Sequence, residues 1–64
     1  MAKLSTFQAV RMGSEYFQLM RAAAAESRPF VAKDFRARAE TNKAALLMHG
    51  WRILPDGINV ERIK

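Results

Sequence analysis

The absence of cysteine from a chain of 64 residues constrains its fold more than any other feature. A domain this small buries only about 60% of the surface that its unfolded form exposes, so its core contributes little stability. Small domains usually compensate with disulfides, a structural metal or a partner subunit. Here no disulfide can form, and the one histidine, His49, does not make a metal site alone. The sequence therefore predicts a single domain, residues 1–64, without cofactor or metal, that relies on its core or on oligomerisation.

The composition favours a folded chain in the cytoplasm. Half of the residues are hydrophobic and 27% are charged, which is not typical of a disordered chain. No stretch approaches the roughly 20 apolar residues that a membrane span needs. The segment from Met1 to Thr6 contains a lysine but no apolar block behind it, so we predict no signal peptide.

The net charge of +5 favours anionic partners such as nucleic acid, an acidic protein surface or anionic lipid. The excess of positive charge is greatest in the middle of the chain, residues 28–51. The cations of that segment are Arg28, Lys33, Arg36, Arg38 and Lys43. The simpler interpretation is that these side chains only solvate helix surfaces.

Apolar residues recur at helical spacing from about Thr6 to about Glu26, which predicts a first helix. Ser5 or Thr6 is suited to cap its start, and the segment Ser27-Arg28-Pro29 to end it. Its expected buried face consists of Phe7, Val10, Phe17, Met20 and Ala24. A glycine in its middle, Gly13, weakens the helix by roughly 1 kcal/mol and allows another backbone to approach closely.

Three further apolar residues of this helix, Met12, Tyr16 and Leu19, lie beside that face. They have two interpretations. They broaden the core stripe of the domain, or they form the interface of a homodimer through the first helix.

The next segment predicts two shorter helices. The first runs from about Val31 to about Ala39 around Phe35, and the second from Glu40 or Thr41 to His49, with Thr41 as its N-cap. The buried stripe expected for the second consists of Ala44, Leu47, Met48 and Trp51. The following Gly50 stands where a helix often ends with a left-handed residue.

The last fourteen residues change to the alternating period of strands. Apolar and polar residues alternate through Trp51-Arg52-Ile53 and again through 58–61. Between them the sequence Leu54-Pro55-Asp56-Gly57 has the chemistry of a tight turn. This segment predicts a β-hairpin packed on the helices. The predicted fold class is thus α+β, mainly helical, with three helices and a C-terminal β-hairpin.

The residues that catalysis usually requires are missing or isolated. There is no cysteine nucleophile, His49 has no second histidine, and the isolated glycines do not form a phosphate-binding loop. The carboxylates are better explained as surface partners of cations, Asp34 with Arg38 and Glu40 with Lys43. We therefore predict a binding protein rather than an enzyme.

The order of elements from Pro29 onward resembles the winged helix-turn-helix family. A short helix around Phe35 precedes a helix that begins near Thr41, and Leu47-Met48-His49-Gly50-Trp51-Arg52-Ile53 matches the family pattern of leucine, glycine and apolar residue before a hairpin wing. Two features differ from that pattern. The link at Ala39–Thr41 is short and has no glycine, and Val31 stands where a capping serine or threonine is common.

This resemblance implies duplex DNA binding, with the third helix in the major groove and the hairpin near the backbone. Asn42, Lys43 and Leu46 would meet base edges. Phosphates would be held by a second group of side chains, Arg28, Lys33, Arg36 and Arg38. The wing would contribute Arg52 and Asn59.

The leading hypothesis is a small DNA-binding protein, a transcriptional regulator or accessory factor of the kind that phages and plasmids encode. The rival is a protein-interaction module that docks on a larger host protein and inhibits or modulates it. For that rival, an apolar patch of Met12, Tyr16, Leu19 and Leu46 would be the docking surface.

Overall fold

The computed structural model describes residues 4–63 and contains two helices and a two-stranded antiparallel sheet. The elements are α1 (Thr6–Ala25), α2 (Pro29–Met48), β1 (Trp51–Ile53) and β2 (Val60–Arg62). A short connection makes α1 and α2 an antiparallel helical hairpin, and the sheet packs against both helices. The α+β, mainly helical class is confirmed. Lys3 and Lys64, which the charge count includes, lie outside the described residues.

The bounds of α1 agree with the prediction, and Ser5 is the residue that caps it. The Ser5 hydroxyl accepts from the backbone N–H of Gln8 at 3.1 Å, and the Gln8 side chain accepts from the backbone N–H of Ser5 at 3.0 Å. This reciprocal capping box satisfies two donors that a helix start leaves unpaired. At the other end α1 stops at Ala25, and Pro29 occupies the first turn of α2, where its missing N–H costs nothing.

The prediction of three helices is wrong. The two short helices expected at 31–39 and from Glu40 or Thr41 to His49 are one continuous helix, α2. Thr41 does not cap a helix start, because its hydroxyl donates to the carbonyl oxygen of Ala37 at 3.0 Å, one turn earlier in the same helix. The chain therefore has no helix-turn-helix in this region.

The core is built mainly from small residues. The buried side chains of the helices are Ala9, Ala23, Ala32, Ala39 and Leu46, and Gly13 is buried with them. The distance between packed helices depends on the size of the residues at their contact, and alanine and glycine allow a close approach. Trp51 of β1 closes this core against Ala9 and Leu46.

The predicted buried face of α1 is wrong for three of its five residues. Phe7 is 74% exposed, Val10 is 54% exposed, and Ala24 is exposed, whereas Phe17 and Met20 are half-buried. The contact face instead follows the small residues of α1. Of the residues beside the expected face, Met12 packs on the core and Tyr16 and Leu19 are half-buried. Met12 thus contributes to the core of the domain, and a homodimer through the first helix stays a prediction.

The predicted stripe at the end of α2 is also wrong for its helical residues. Leu47 and Met48 are 49% and 86% exposed, and Ala44 is exposed, whereas Leu46 is fully buried. Of the expected stripe only Trp51 is buried, and it belongs to a strand. An apolar patch that includes Leu46 and Met12 is therefore not available at the surface.

The hairpin prediction is confirmed. In the antiparallel register Trp51 lies opposite Arg62 and Ile53 opposite Val60. The turn closes when the backbone N–H of Gly57 donates to the Leu54 carbonyl at 2.9 Å, and Gly57 has the positive φ of 75° that its position requires. Gly50, with φ of 82°, ends α2 as predicted.

Gly13 is the point at which the hairpin approaches α1. A Cβ atom at this position would lie 2.6 Å from Val60 Cγ1 and 3.2 Å from the carbonyl oxygen of Ile58. The predicted close approach of another backbone is confirmed, because no side chain fits there without movement of β2.

No helix in residues 4–63 is long and apolar enough to cross a bilayer.

Candidate functional site

Three cations form a line on the outer side of α2, and we name Lys33, Arg36 and Lys43 the basic stripe. Their spacing along the helix puts them on one face, and all three are exposed. A rise of about 1.5 Å per residue places Lys33 and Lys43 about 15 Å apart along the axis. Within residues 4–63, no carboxylate forms an ion pair with any of them.

Three other arginines of the predicted site are ion-paired, and we name Arg28, Arg38 and Arg52 the paired arginines. Arg28 and Arg38 were predicted to hold phosphates, and Arg52 to act in the wing. Arg38 lies 3.0 Å from Asp34, as the sequence predicted, and Arg52 pairs with Glu61 across the hairpin. A guanidinium that is already matched to a carboxylate has less charge to offer a second anion. The structure therefore does not bring these arginines into one positive surface with the basic stripe.

The pair of Arg28 and Glu26 has more hydrogen bonds than the other two pairs. Arg28 donates to the two Glu26 oxygens at 3.0 and 3.2 Å with its side chain, and at 3.1 Å with its backbone N–H. These hydrogen bonds favour the ionised carboxylate and lower the pKa of Glu26 from 4.5 to about 2. The pair fixes the connection between the two helices.

Two of the three side chains predicted to read bases are withdrawn from the surface, and a wing side chain, that of Asn59, is bonded within its own hairpin. Leu46 is fully buried and has no surface to offer a ligand, so it leaves the candidate site, and Asn42 is half-buried. The Asn59 side chain donates to Asp56 at 2.7 Å. Asp56 also accepts the backbone N–H groups of Ile58 and Asn59, which lowers its pKa.

Arg21 and Arg62, for which the sequence pattern predicted no role, also lack a carboxylate partner in the described part of the chain. Arg62 lies over the ring of Trp51 at 5.0 Å and Arg21 over Phe17 at 5.8 Å, and such cations are held by the face of the ring. The register of a hairpin closed by Pro55-Asp56-Gly57 would have placed Arg62 opposite Trp51. For Arg21 the spacing of one turn from Phe17 was the available signal.

One acidic side chain interrupts the basic stripe. Glu40 lies one turn from both Arg36 and Lys43 on the same face and is exposed. The predicted pair of Glu40 with Lys43 does not form, since no such contact lies within 4.0 Å. Glu40 therefore reduces the positive potential of the stripe without neutralising one particular cation.

The described residues give little support for a metal site or for a deep ligand pocket. Residues 4–63 contain no group of three or more histidine or acidic side chains that would hold a metal ion. A shallow depression of about 220 Å³ lies between the end of α2 and the ends of the hairpin strands. It is lined by Leu4, His49, Gly50, Trp51, Arg62 and Ile63. A second open depression, on α1, has no titratable group except Glu15.

Comparison with family models, with curated proteins and with solved structures finds no match for this chain. The site is therefore interpreted from its own residues.

Proposed function

We propose that this protein binds nucleic acid by holding phosphate groups along the basic stripe of α2. The observation that carries the proposal is the uncompensated charge of Lys33, Arg36 and Lys43 on one exposed helix face. Phosphates along a nucleic-acid strand repeat at a few ångströms per nucleotide. A stripe of about 15 Å, from the rise of about 1.5 Å per residue, spans several of them.

Contacts to phosphate position a protein without reading sequence. Two of the three residues predicted to read bases do not support sequence recognition, because Leu46 is buried and Asn42 is half-buried. The third, Lys43, is exposed and is proposed here to hold phosphate. The continuous α2 also removes the turn on which a recognition helix would stand. The proposed activity is thus sequence-independent binding, as expected for an accessory factor rather than for an operator-specific regulator.

The test compares two variants that remove the same formal charge. In the stripe variant the three residues of the basic stripe become Gln, and in the paired variant the three paired arginines become Gln. Fluorescence anisotropy measures the affinity of each for labelled oligonucleotides of about 20 nucleotides, single-stranded and duplex, at low salt.

We expect the stripe variant to lose at least about tenfold in affinity, since three phosphate contacts carry most of the non-specific binding. The paired variant is expected to lose much less, because its arginines are already matched to carboxylates. Equal losses would mean that only the total charge matters. No binding by the unchanged protein at low salt would end the proposal.

A second candidate function is protein interaction, favoured by the exposed apolar residues of α1. Phe7 and Val10 lie one turn apart and leave most of their side chains uncovered, a surface suited to a partner or a second copy of the chain. This candidate predicts a complex that resists nuclease and is lost on Phe7→Ser with Val10→Ser. The stripe variant would leave that complex intact.

A further inference from the structure

We infer that the nucleic acid bound by this protein is single-stranded, with Phe30 as the platform on which an unpaired base stacks. The inference rests on the proposed function and names its ligand class more closely. It is carried by one aromatic side chain whose exposure nothing in the fold explains, together with its position beside the basic stripe.

Phe30 is 89% exposed, more than any other large apolar residue of the described chain. It lies in the first turn of α2, directly after Pro29, so its backbone is fixed while its ring faces solvent. The half-buried Val31 and the buried Ala32 form the inner side of this turn. Phe30 therefore contributes little to the core.

The ring stands next to the first cation of the basic stripe. Phe30 and Lys33 are three residues apart, which makes them neighbours on a helix surface, and Arg36 follows one turn later. The other neighbour, Asp34, is held by Arg38 at 3.0 Å, so its charge is largely matched. An aromatic face followed by a line of free cations is the arrangement with which proteins hold single strands.

A duplex offers no partner for this ring. Its bases are stacked on each other, and only a base that has left the stack presents its face to a side chain. Every base has such a face, so stacking tolerates any sequence. This agrees with the sequence-independent binding proposed above.

The variants that test this inference should fold, because the residues changed are exposed. Phe30→Ala removes the ring, Phe30→Leu keeps an apolar side chain without the aromatic face, and Phe30→Trp enlarges that face. Met48→Ala is the matched control, since Met48 is 86% exposed at the other end of the same helix.

Affinities are measured for labelled oligothymidylate, oligouridylate and a hairpin duplex, each of about 20 nucleotides. We expect Phe30→Ala and Phe30→Leu to lose about fivefold or more on the single strands and nothing on the duplex, while Phe30→Trp binds as well or better. Met48→Ala should match the unchanged protein. The thymidylate and uridylate arms show whether the protein holds a DNA strand or an RNA strand more tightly.

The outcomes separate this inference from the proposed function. Should Phe30→Ala or Phe30→Leu bind single strands as tightly as the unchanged protein, stacking is refuted, and a loss in the stripe variant would still uphold phosphate binding. A preference for the duplex over both single strands would also overturn the inference. Absence of binding to all three probes would refute both the stacking of a base on Phe30 and the proposed binding of phosphates.

Discussion

Gly13 of α1 lies directly against Val60 of β2, and a Cβ atom at Gly13 would stand 2.6 Å from Val60 Cγ1. This contact joins the hairpin to the helix that it does not follow in sequence. Glycine costs α1 roughly 1 kcal/mol of helix propensity, and the close approach of β2 is what it permits in return.

Gly13→Ala is therefore expected to destabilise the protein although alanine favours helices. Overpacking costs about 1–3 kcal/mol, which outweighs the gain of about 1 kcal/mol in propensity. Urea denaturation measures the change in the free energy of unfolding. In a Val60→Ala background the same substitution should be neutral or stabilising. If Gly13→Ala stabilises the protein that retains Val60, the packing described here is wrong.

The ion pair of Glu26 with Arg28 makes the free energy of unfolding depend on pH in the acid range. The pKa of Glu26 is lowered from 4.5 to about 2, so the folded state favours the charged carboxylate. The contribution of the ionised Glu26 to the free energy of unfolding is complete above about pH 4.5 and is lost as the pH falls toward about 2.

Glu26→Gln should remove this dependence, which the urea midpoints at about pH 7 and about pH 3 measure. We expect a smaller difference between the two midpoints than in the unchanged protein. Glu15→Gln is the control, because Glu15 lies 3.8 Å from Arg11 in a looser pair. An unaltered difference in Glu26→Gln would show that this carboxylate does not carry the effect.

Arg62 covers the indole of Trp51, which is 6% exposed and is the only tryptophan of the chain. Arg62→Ala should shift the tryptophan emission to longer wavelength and lower the free energy of unfolding by about 0.5–1 kcal/mol. Arg62→Met covers the indole again with an uncharged side chain. It therefore separates the shielding of the ring from solvent from the attraction between the cation and the ring. An unshifted emission in Arg62→Ala would mean that other groups shield the ring.

Glu40 interrupts the basic stripe, so Glu40→Gln is expected to raise the affinity for nucleic acid several-fold at low salt. The gain should fade as salt screens the charges. Glu15→Gln removes the same charge from α1 and should have a smaller effect in the same anisotropy titration. A gain as large in Glu15→Gln would mean that the position of the charge on α2 is immaterial.

Local chemistry made the ends of the elements predictable. Ser5, Gly50, Pro55-Asp56-Gly57 and the alternation around Ile53 act within a few residues of themselves, and each is found in the predicted role. A helix break was predicted at Ala39–Thr41, but α2 continues through these residues, and no local signal distinguishes the two outcomes. Neither glycine nor proline occurs there, and a threonine hydroxyl can bond to the preceding turn as readily as it can cap a new one.

The buried faces were predicted wrongly, because the largest apolar side chains were expected to be the buried ones. In two helices packed through alanine and glycine, the large residues are displaced to the sides, and so Phe7 and Met48 are exposed while Ala9 and Ala39 are buried. The candidate site was predicted in part for a related reason. The sequence identified the candidate cations, but the distances to Glu26, Asp34 and Glu61 decide which of them are free.

The salt dependence of single-strand binding shows whether the basic stripe holds phosphates. Each phosphate contact contributes about −0.7 to the slope of log affinity against log salt, so three contacts predict about −2 between about 50 and 200 mM. We expect this slope for the unchanged protein and for the variant of the paired arginines, and a nearly flat response for the variant of Lys33, Arg36 and Lys43. An equal slope in all three proteins would mean that the basic stripe does not hold the strand.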